Sequence, residues 1–242
     1  MQQKNLQCDK EVDFRRFKVT EAPADAYYIP NFITTAEEDE LWHQIYHAPK
    51  PKWTQLSNRR LQNWGGLPHP KGMIADEVPP WLDKYLVKLH QMEVFEDKRP
   101  NHVLVNEYLP GQGIMAHLDG PLFYPIIATI NLGSHTVLDF YSLRNEQKKH
   151  EDDLESSPKD RYIGSFLLEQ KSLVCFKNDL YHIYMHGIEE VCEDDLKERH
   201  FFNKHSVELD LTKSPLKRST RISLTIRNFP KILNVKLKFG IR

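Results

Sequence analysis

The chain has 242 residues, long enough for one substantial core, and its apolar and charged fractions, 40% and 28%, are those of a globular protein. A formal charge of −1 excludes a global pull towards nucleic acid, so any such contact needs a local patch. The three cysteines, Cys8, Cys175 and Cys192, form no Cys-x-x-Cys pair, which argues against a zinc knuckle or disulfide framework and for a reducing compartment. No apolar run approaches a membrane span, and Met1 to Arg16 lacks the apolar stretch of a secretion signal. One intracellular domain over residues 1–242, cytoplasmic and nuclear, with no membrane partner, is the expectation.

In chain order, residues 26–29 read as a short strand and are followed by a helix. Thr34 and Thr35 can cap its first amides, Glu37 and Glu38 sit where a capping box needs them, and Leu41, Trp42, Ile45 and Tyr46 form an apolar stripe. From Lys50 to Pro80 the chain is rich in Pro, Gly, Trp and basic residues without a regular period, and reads as a long functional loop or lid. A second helix begins near Pro79-Pro80 and carries Trp81, Leu82, Tyr85, Leu86, Leu89 and Met92 on one face. Short strands then recur at 102–109, 114–118, 126–132, 136–141, 161–169, 172–177, 181–188 and 220–228. Strands of that number and spacing predict an antiparallel jelly roll. Residues 144–160 and 189–219 interrupt the rhythm and read as charged insertions outside the core, and Val235 to Phe239 alternates like an edge strand guarded by lysines.

Chemistry concentrates around His117-Leu118-Asp119. In extended chain, positions i and i+2 project to one side, so an imidazole and a carboxylate can close on one ion. The neighbouring Gly111-Gln112-Gly113-Ile114-Met115-Ala116 matches a dinucleotide fingerprint in letters only, since Gly120-Pro121 leaves no room for the required helix. A third ligand is sought in Tyr181 to Ile188, where His182 and His186 share parity. His186 is preferred because it precedes Gly187, whose missing Cβ allows close backbone approach. Two His and one Asp leave three positions of an octahedral Fe(II) open; the alternative is a surface His-x-Asp beside an unrelated core His. In Arg221 to Arg227, Ile222, Leu224 and Ile226 face one way and Arg221, Ser223, Thr225 and Arg227 the other, a polar wall suited to a dicarboxylate. Asn106 and Tyr108 can face the same ligand.

Taken together, Asn106-x-Tyr108-x-Pro110-Gly111, His117-x-Asp119, His186-Gly187 and Arg221-x-Ser223-x-Thr225-x-Arg227, in that order, resemble the AlkB family of Fe(II) and 2-oxoglutarate dioxygenases. Upstream, residues 48–57, 61–70 and 79–82 resemble one animal branch of that family. The resemblance implies a β-rich α+β fold: a double-stranded β-helix (jelly roll, cupin-like) over 101–230, preceded in 1–100 by helices and a substrate-recognition lid, and followed by a basic tail over 231–242. It implies His117, Asp119 and His186 as metal ligands, and Asn106, Tyr108, Arg221, Ser223 and Arg227 as the 2-oxoglutarate pocket. Ser223 departs from the Asn of the bacterial founder.

The implied activity is an oxidoreductase reaction with Fe(II) as cofactor and 2-oxoglutarate and molecular oxygen as cosubstrates, in which decarboxylation to succinate is coupled to hydroxylation of a substrate C–H. An N-methyl hydroxylated in this way falls apart to formaldehyde. Trp53, Arg59, Arg60 and Trp64, interleaved with Lys50, Lys52 and Lys71, are the expected substrate contacts, combining phosphate attraction with base stacking, and no acidic residue follows Asp210. Oxidative demethylation of N-alkylated nucleic acid is therefore the reading. A protein side-chain oxygenase of the same chemistry and a non-catalytic binding module are the alternatives.

Overall fold

The computed structural model describes residues 13–143, 158–197 and 199–233. In chain order its strands and helices are β1 Ala26–Ile29, α1 Thr35–Tyr46, β2 Thr54–Gln55, β3 Arg60–Trp64, β4 Gly66–His69, β5 Gly72–Ala75, α2 Pro80–Gln91, β6 His102–Tyr108 and β7 Ile114–His117. These are followed by β8 Ile126–Gly133, β9 Thr136–Ser142, β10 Tyr162–Leu168, β11 Leu173–Lys177, the single turn α3 Asp179–His182, β12 Tyr184–Ile188, β13 Glu193–Asp194, β14 Leu216–Lys217, β15 Arg221–Arg227 and β16 Ile232–Leu233.

Two facing antiparallel sheets form the jelly roll. The large one has the order β1-β11-β8-β15-β6-β3-β2 and the small one β10-β9-β12-β7. Strand alternation gives the large sheet two unlike faces. Val103, Val105, Ile126, Ala128, Ile130, Leu132, Leu173, Cys175, Ile222, Leu224 and Ile226 point outwards and pack with Leu41, Ile45, Leu82, Tyr85, Leu86 and Leu89 of the two long helices. The reciprocal capping box at Thr34 and Glu37 starts α1, and Pro80 occupies the first turn of α2, where its missing N–H costs nothing. Helix α1 is also tied to the sheet through buried Glu38, which accepts from the Gly133 amide at 2.8 Å and from the Gln170 side chain at 2.6 Å. Gly133 has φ +76°, and a Cβ there would fall 2.5 Å from the Thr220 carbonyl oxygen, so this corner requires glycine. Between the sheets lies an aromatic core of Phe140, Phe166, Phe176 and Phe202 with Leu138, Leu168, Val174 and Ile188.

Three readings change. The segment from Lys50 to Pro80 is not a free loop: β3 pairs with β6 over Arg60 to Trp64, and β4 and β5 form a small sheet with β16. Its strand alternation is hidden because two of the three residues that β3 turns towards the helix layer, Arg60 and Gln62, are polar and meet polar partners, Glu107 and the Ile45 carbonyl, there. The insertion at 189–219 does reach the core, since Leu196, Phe201, Phe202 and Asn203 are all buried. Asn203 replaces a missing strand neighbour by bonding both the amide and the carbonyl of Leu167, at 3.0 and 2.9 Å. Finally, residues 179–182 form a helical turn, so the strand expected at 181–188 begins only at Tyr184. Residues 144–157 of the other insertion and the edge strand expected at Val235 to Phe239 lie outside the described residues. Among the described residues no helix is long and apolar enough to cross a membrane.

Candidate active site

The inner face of the large sheet is polar where the outer face is apolar. Asn106 and Tyr108 of β6, Thr129 of β8, and Arg221, Ser223, Thr225 and Arg227 of β15 line a cavity of about 130 Å³ between the two sheets. Register brings the wall together: Arg221 lies opposite Tyr108, and Ser223 lies opposite both Asn106 and Asn131. The small sheet supplies the other side. His186 of β12 pairs directly with His117 of β7, their ring centroids are 4.6 Å apart, and Asp119 follows at the mouth with its Oδ2 3.5 Å from His186 Nε2. Gly187 makes this approach possible, because a Cβ there would sit 2.9 Å from the Ala116 nitrogen. His182, the alternative, is exposed at the end of α3. The helical turn breaks the strand parity that made the two histidines equivalent.

The protonation states suit ligation. Burial pushes His186 down to about 4, only partly opposed by Asp119, so its imidazole is neutral near pH 7. The Nδ1 of His117 contacts the Met115 carbonyl oxygen at 2.8 Å, which assigns the proton to Nδ1 and leaves Nε2 as the lone pair. Asp119 Oδ1 accepts from Arg227 Nη2 at 2.8 Å. Two imidazoles and a carboxylate fit the two-His, one-carboxylate donor set of a non-haem Fe(II) centre. They share the mouth of the cavity, but among the described residues no group of three or more His, Cys, Asp or Glu, these three included, is drawn together closely enough to hold a metal ion.

At the other end of the cavity Arg221 is buried, donates to the Asn131 side chain and leaves its Nε without a partner. Burial pulls the guanidinium down to about 10, so it remains a cation at neutral pH. A buried cation with an unused donor is a costly arrangement unless an anion is received there. The same burial pushes the Tyr108 phenol up, keeping it a neutral donor. Asn131 was not among the residues singled out from the sequence. Its signal is a lone amide within the apolar run of residues 126–132, which demands a buried polar partner.

The four expected substrate residues do not converge. Arg59 reaches the cavity, where its Nε donates to Asn106 Oδ1 at 3.1 Å. Arg60 points the opposite way, forms an ion pair with buried Glu107 and stacks its guanidinium 4.1 Å from the Trp53 ring centre. Trp64 packs edge-on against Trp81 at 5.4 Å and lies beneath the Lys52 ammonium at 4.3 Å. Both tryptophan rings are thus already engaged in the layer beside the helices, which corrects the expectation that they offer open stacking faces. Adjacent residues of a strand alternate sides, and that rule sends Arg59 and Arg60 apart.

A family description of the 2OG-Fe(II) oxygenase superfamily matches residues 25–227. A Danio rerio protein called "Probable RNA/DNA demethylase ALKBH6" is 51% identical, over 96% of this chain and 97% of its own. The uncharacterized protein L905 of Acanthamoeba polyphaga mimivirus is 27% identical over 83% and 82%. Among solved structures, OsALKBH1 has a TM-score of 0.54 at 13% identity, covering 84% of this chain and 97% of its own. An oxidoreductase of the 2OG-Fe(II) oxygenase family from Burkholderia pseudomallei reaches 0.52 at 9%, covering 94% and 98%. At such identities the structural likeness establishes the fold.

Proposed function

Because the chain belongs to the 2OG-Fe(II) oxygenase superfamily and is an oxidoreductase of the AlkB-like dioxygenase kind, we propose that it demethylates N-alkylated nucleic acid, with His117, Asp119 and His186 holding Fe(II) and Arg221 receiving 2-oxoglutarate. The observation that carries the site assignment is one cavity with a His-Asp-His mouth and a buried, unsatisfied arginine at its far end. Bound there, the metal would activate oxygen together with the keto acid. The chain's own groups bind and orient. Arg221 would pair with the far carboxylate, and Asn106, Tyr108, Ser223 and Arg227 would complete the pocket around it. Ile127, Leu138, Leu168, Val174 and Phe176 exclude water from the apolar half of the cavity. Arg227 also holds one oxygen of Asp119, fixing the orientation of the other.

The nucleic-acid part of the reading draws on the similarity to the Danio rerio protein, whose name specifies RNA/DNA demethylation. The test begins with anaerobic titration of Fe(II)-loaded protein with 2-oxoglutarate, following the weak visible band of the bound keto acid. Wild type should show it, and Asp119→Ala and Arg221→Met should not. Succinate and formaldehyde are then measured with N-methylated oligonucleotides and with methylated peptides. Stimulation by peptides alone would move the reading to a protein oxygenase, and absence of the band in iron-loaded wild type would move it to a binding module.

A further inference from the structure

The walls of the cavity carry three guanidinium groups, Arg59, Arg221 and Arg227, against one carboxylate, Asp119. Two of the three have assigned partners. Arg227 is bonded to Asp119 at 2.8 Å, and Arg221 lies at the buried end reserved for the cosubstrate in the proposed reading. Arg59 is different. Its Nε is held by Asn106 Oδ1 at 3.1 Å, and no carboxylate pairs with it among the described residues. It lines the cavity and remains half-exposed. A doubly charged 2-oxoglutarate and a divalent metal cancel each other, so filling the site leaves the positive excess in place.

The surroundings hold Arg59 there. Its neighbour Arg60 is paired with buried Glu107 on the other side of β3, and Glu107 also accepts from Tyr46, so the backbone at this end of the hairpin cannot turn over without breaking that part-buried ion pair. The hairpin tip is further tied to the far rim by Asn58, which donates to Glu190. Glu190 is exposed and engaged with Asn58, and water screens it more than it screens half-buried Arg59.

We propose that Arg59 is a charge-selecting residue of the substrate site, and that the group oxidised beside it carries no fixed positive charge. In nucleic acid this means a base methylated on an exocyclic amine, which is neutral at pH 7, rather than a base alkylated on a ring nitrogen and left cationic. A like charge placed within several ångströms of a poorly screened guanidinium is repelled, whereas a neutral base can stack on its plane and accept its hydrogen bonds. This inference rests on the nucleic-acid reading above.

The test uses the full chain loaded with Mn(II) and 2-oxoglutarate under argon, with fluorescent single-stranded oligonucleotides that differ only in one base: adenine, N6-methyladenine or cationic 1-methyladenine. Anisotropy titrations should show the N6-methyl strand binding about tenfold more tightly than the cationic strand. Arg59→Gln should bring the two within about twofold, and Arg59→Glu should reverse their order. If the variants fold poorly by thermal unfolding, the wild-type preference is measured against salt and should narrow as salt rises. A wild-type preference for the cationic base, a preference unchanged in Arg59→Glu, or one indifferent to salt overturns the proposal while leaving the demethylase reading intact. Equal binding of all three strands, with no succinate released from any in the Fe(II) enzyme, would remove the nucleic-acid reading and this inference together.

Discussion

The two faces of β15 lie within one strand and obey opposite rules. Ile222, Leu224 and Ile226 are almost completely buried and pack as a set with the helices, and their side chains carry no polar atom that needs a partner. Arg221 and Arg227 on the inner side each leave an Nε without a partner, and Asp119 is shared between a guanidinium and an imidazole. One face minimises free energy and the other holds groups in costly, receptive positions. Stability and function are therefore separable by parity along a single seven-residue strand.

Substitutions can break that separation or sharpen it. The largest effect is expected at the mouth: Asp119→Ala should lower succinate release more than the roughly 10–100-fold that outer partners of a metal usually cost, with little change in melting temperature. Coupled turnover assays and thermal unfolding on the same preparation check both halves. Leu224→Ala, on the helix face, should do the reverse. It should cost about 3 kcal/mol in urea unfolding through the cavity it leaves, while the folded fraction retains its 2-oxoglutarate affinity. A loss of affinity equal to that of Arg221→Met would show that the two faces are not independent.

The paired arginines offer a smaller contrast. Arg60→Ala strips buried Glu107 of its guanidinium and should destabilise by about 2 kcal/mol, less than a fully buried pair because Arg60 is partly exposed. Arg59→Ala should stay within about 0.5 kcal/mol of wild type. Equal losses in chemical denaturation would show that Arg59 is held for structure rather than kept for a ligand.

Acid lability is a further expected effect, spread over several pH units. Burial, reinforced by nearby Arg227, pushes His102 down to about 3 from its ordinary 6.5. The unfolded chain therefore binds more protons than the folded chain between those values. Stability is complete above about pH 6.5 and falls as the pH drops towards 3, by at most about 1.4 kcal/mol per unit for this group. Denaturation midpoints at pH 7, 5.5 and 4.5 should fall less steeply in His102→Asn than in wild type. His186 titrates in the same window, so part of the slope should survive the substitution.

The strands at residues 102–109, 126–132 and 220–228 were legible as short apolar-rich runs between turn signals, the last with strict alternation, and with them the polar wall of Asn106, Tyr108, Arg221, Ser223 and Arg227. The stretch around Trp53 to Trp64 was not legible in the same way. Its strand buries Gln62 and directs Arg60 to an ion pair, so no apolar period marks it. Phe201 and Asn203 were hidden for a related reason: a charged insertion conceals a short segment that fills a gap beside β10.

By itself, then, the chain determined which residues share a face, because the period of a strand is written in the order of its side chains. It also supplied side chains of the donor type a metal takes, in His117, Asp119, His182 and His186, whatever their neighbours. Tertiary structure decided what order along the chain cannot encode. It set His186 rather than His182 beside His117 by making residues 179–182 helical, brought Asn131 to Arg221 from 90 residues away, and set Arg59 inside the cavity with Arg60 outside it. Those choices depend on which strands become neighbours and in what register, and that is settled only when both sheets bury their apolar faces at once.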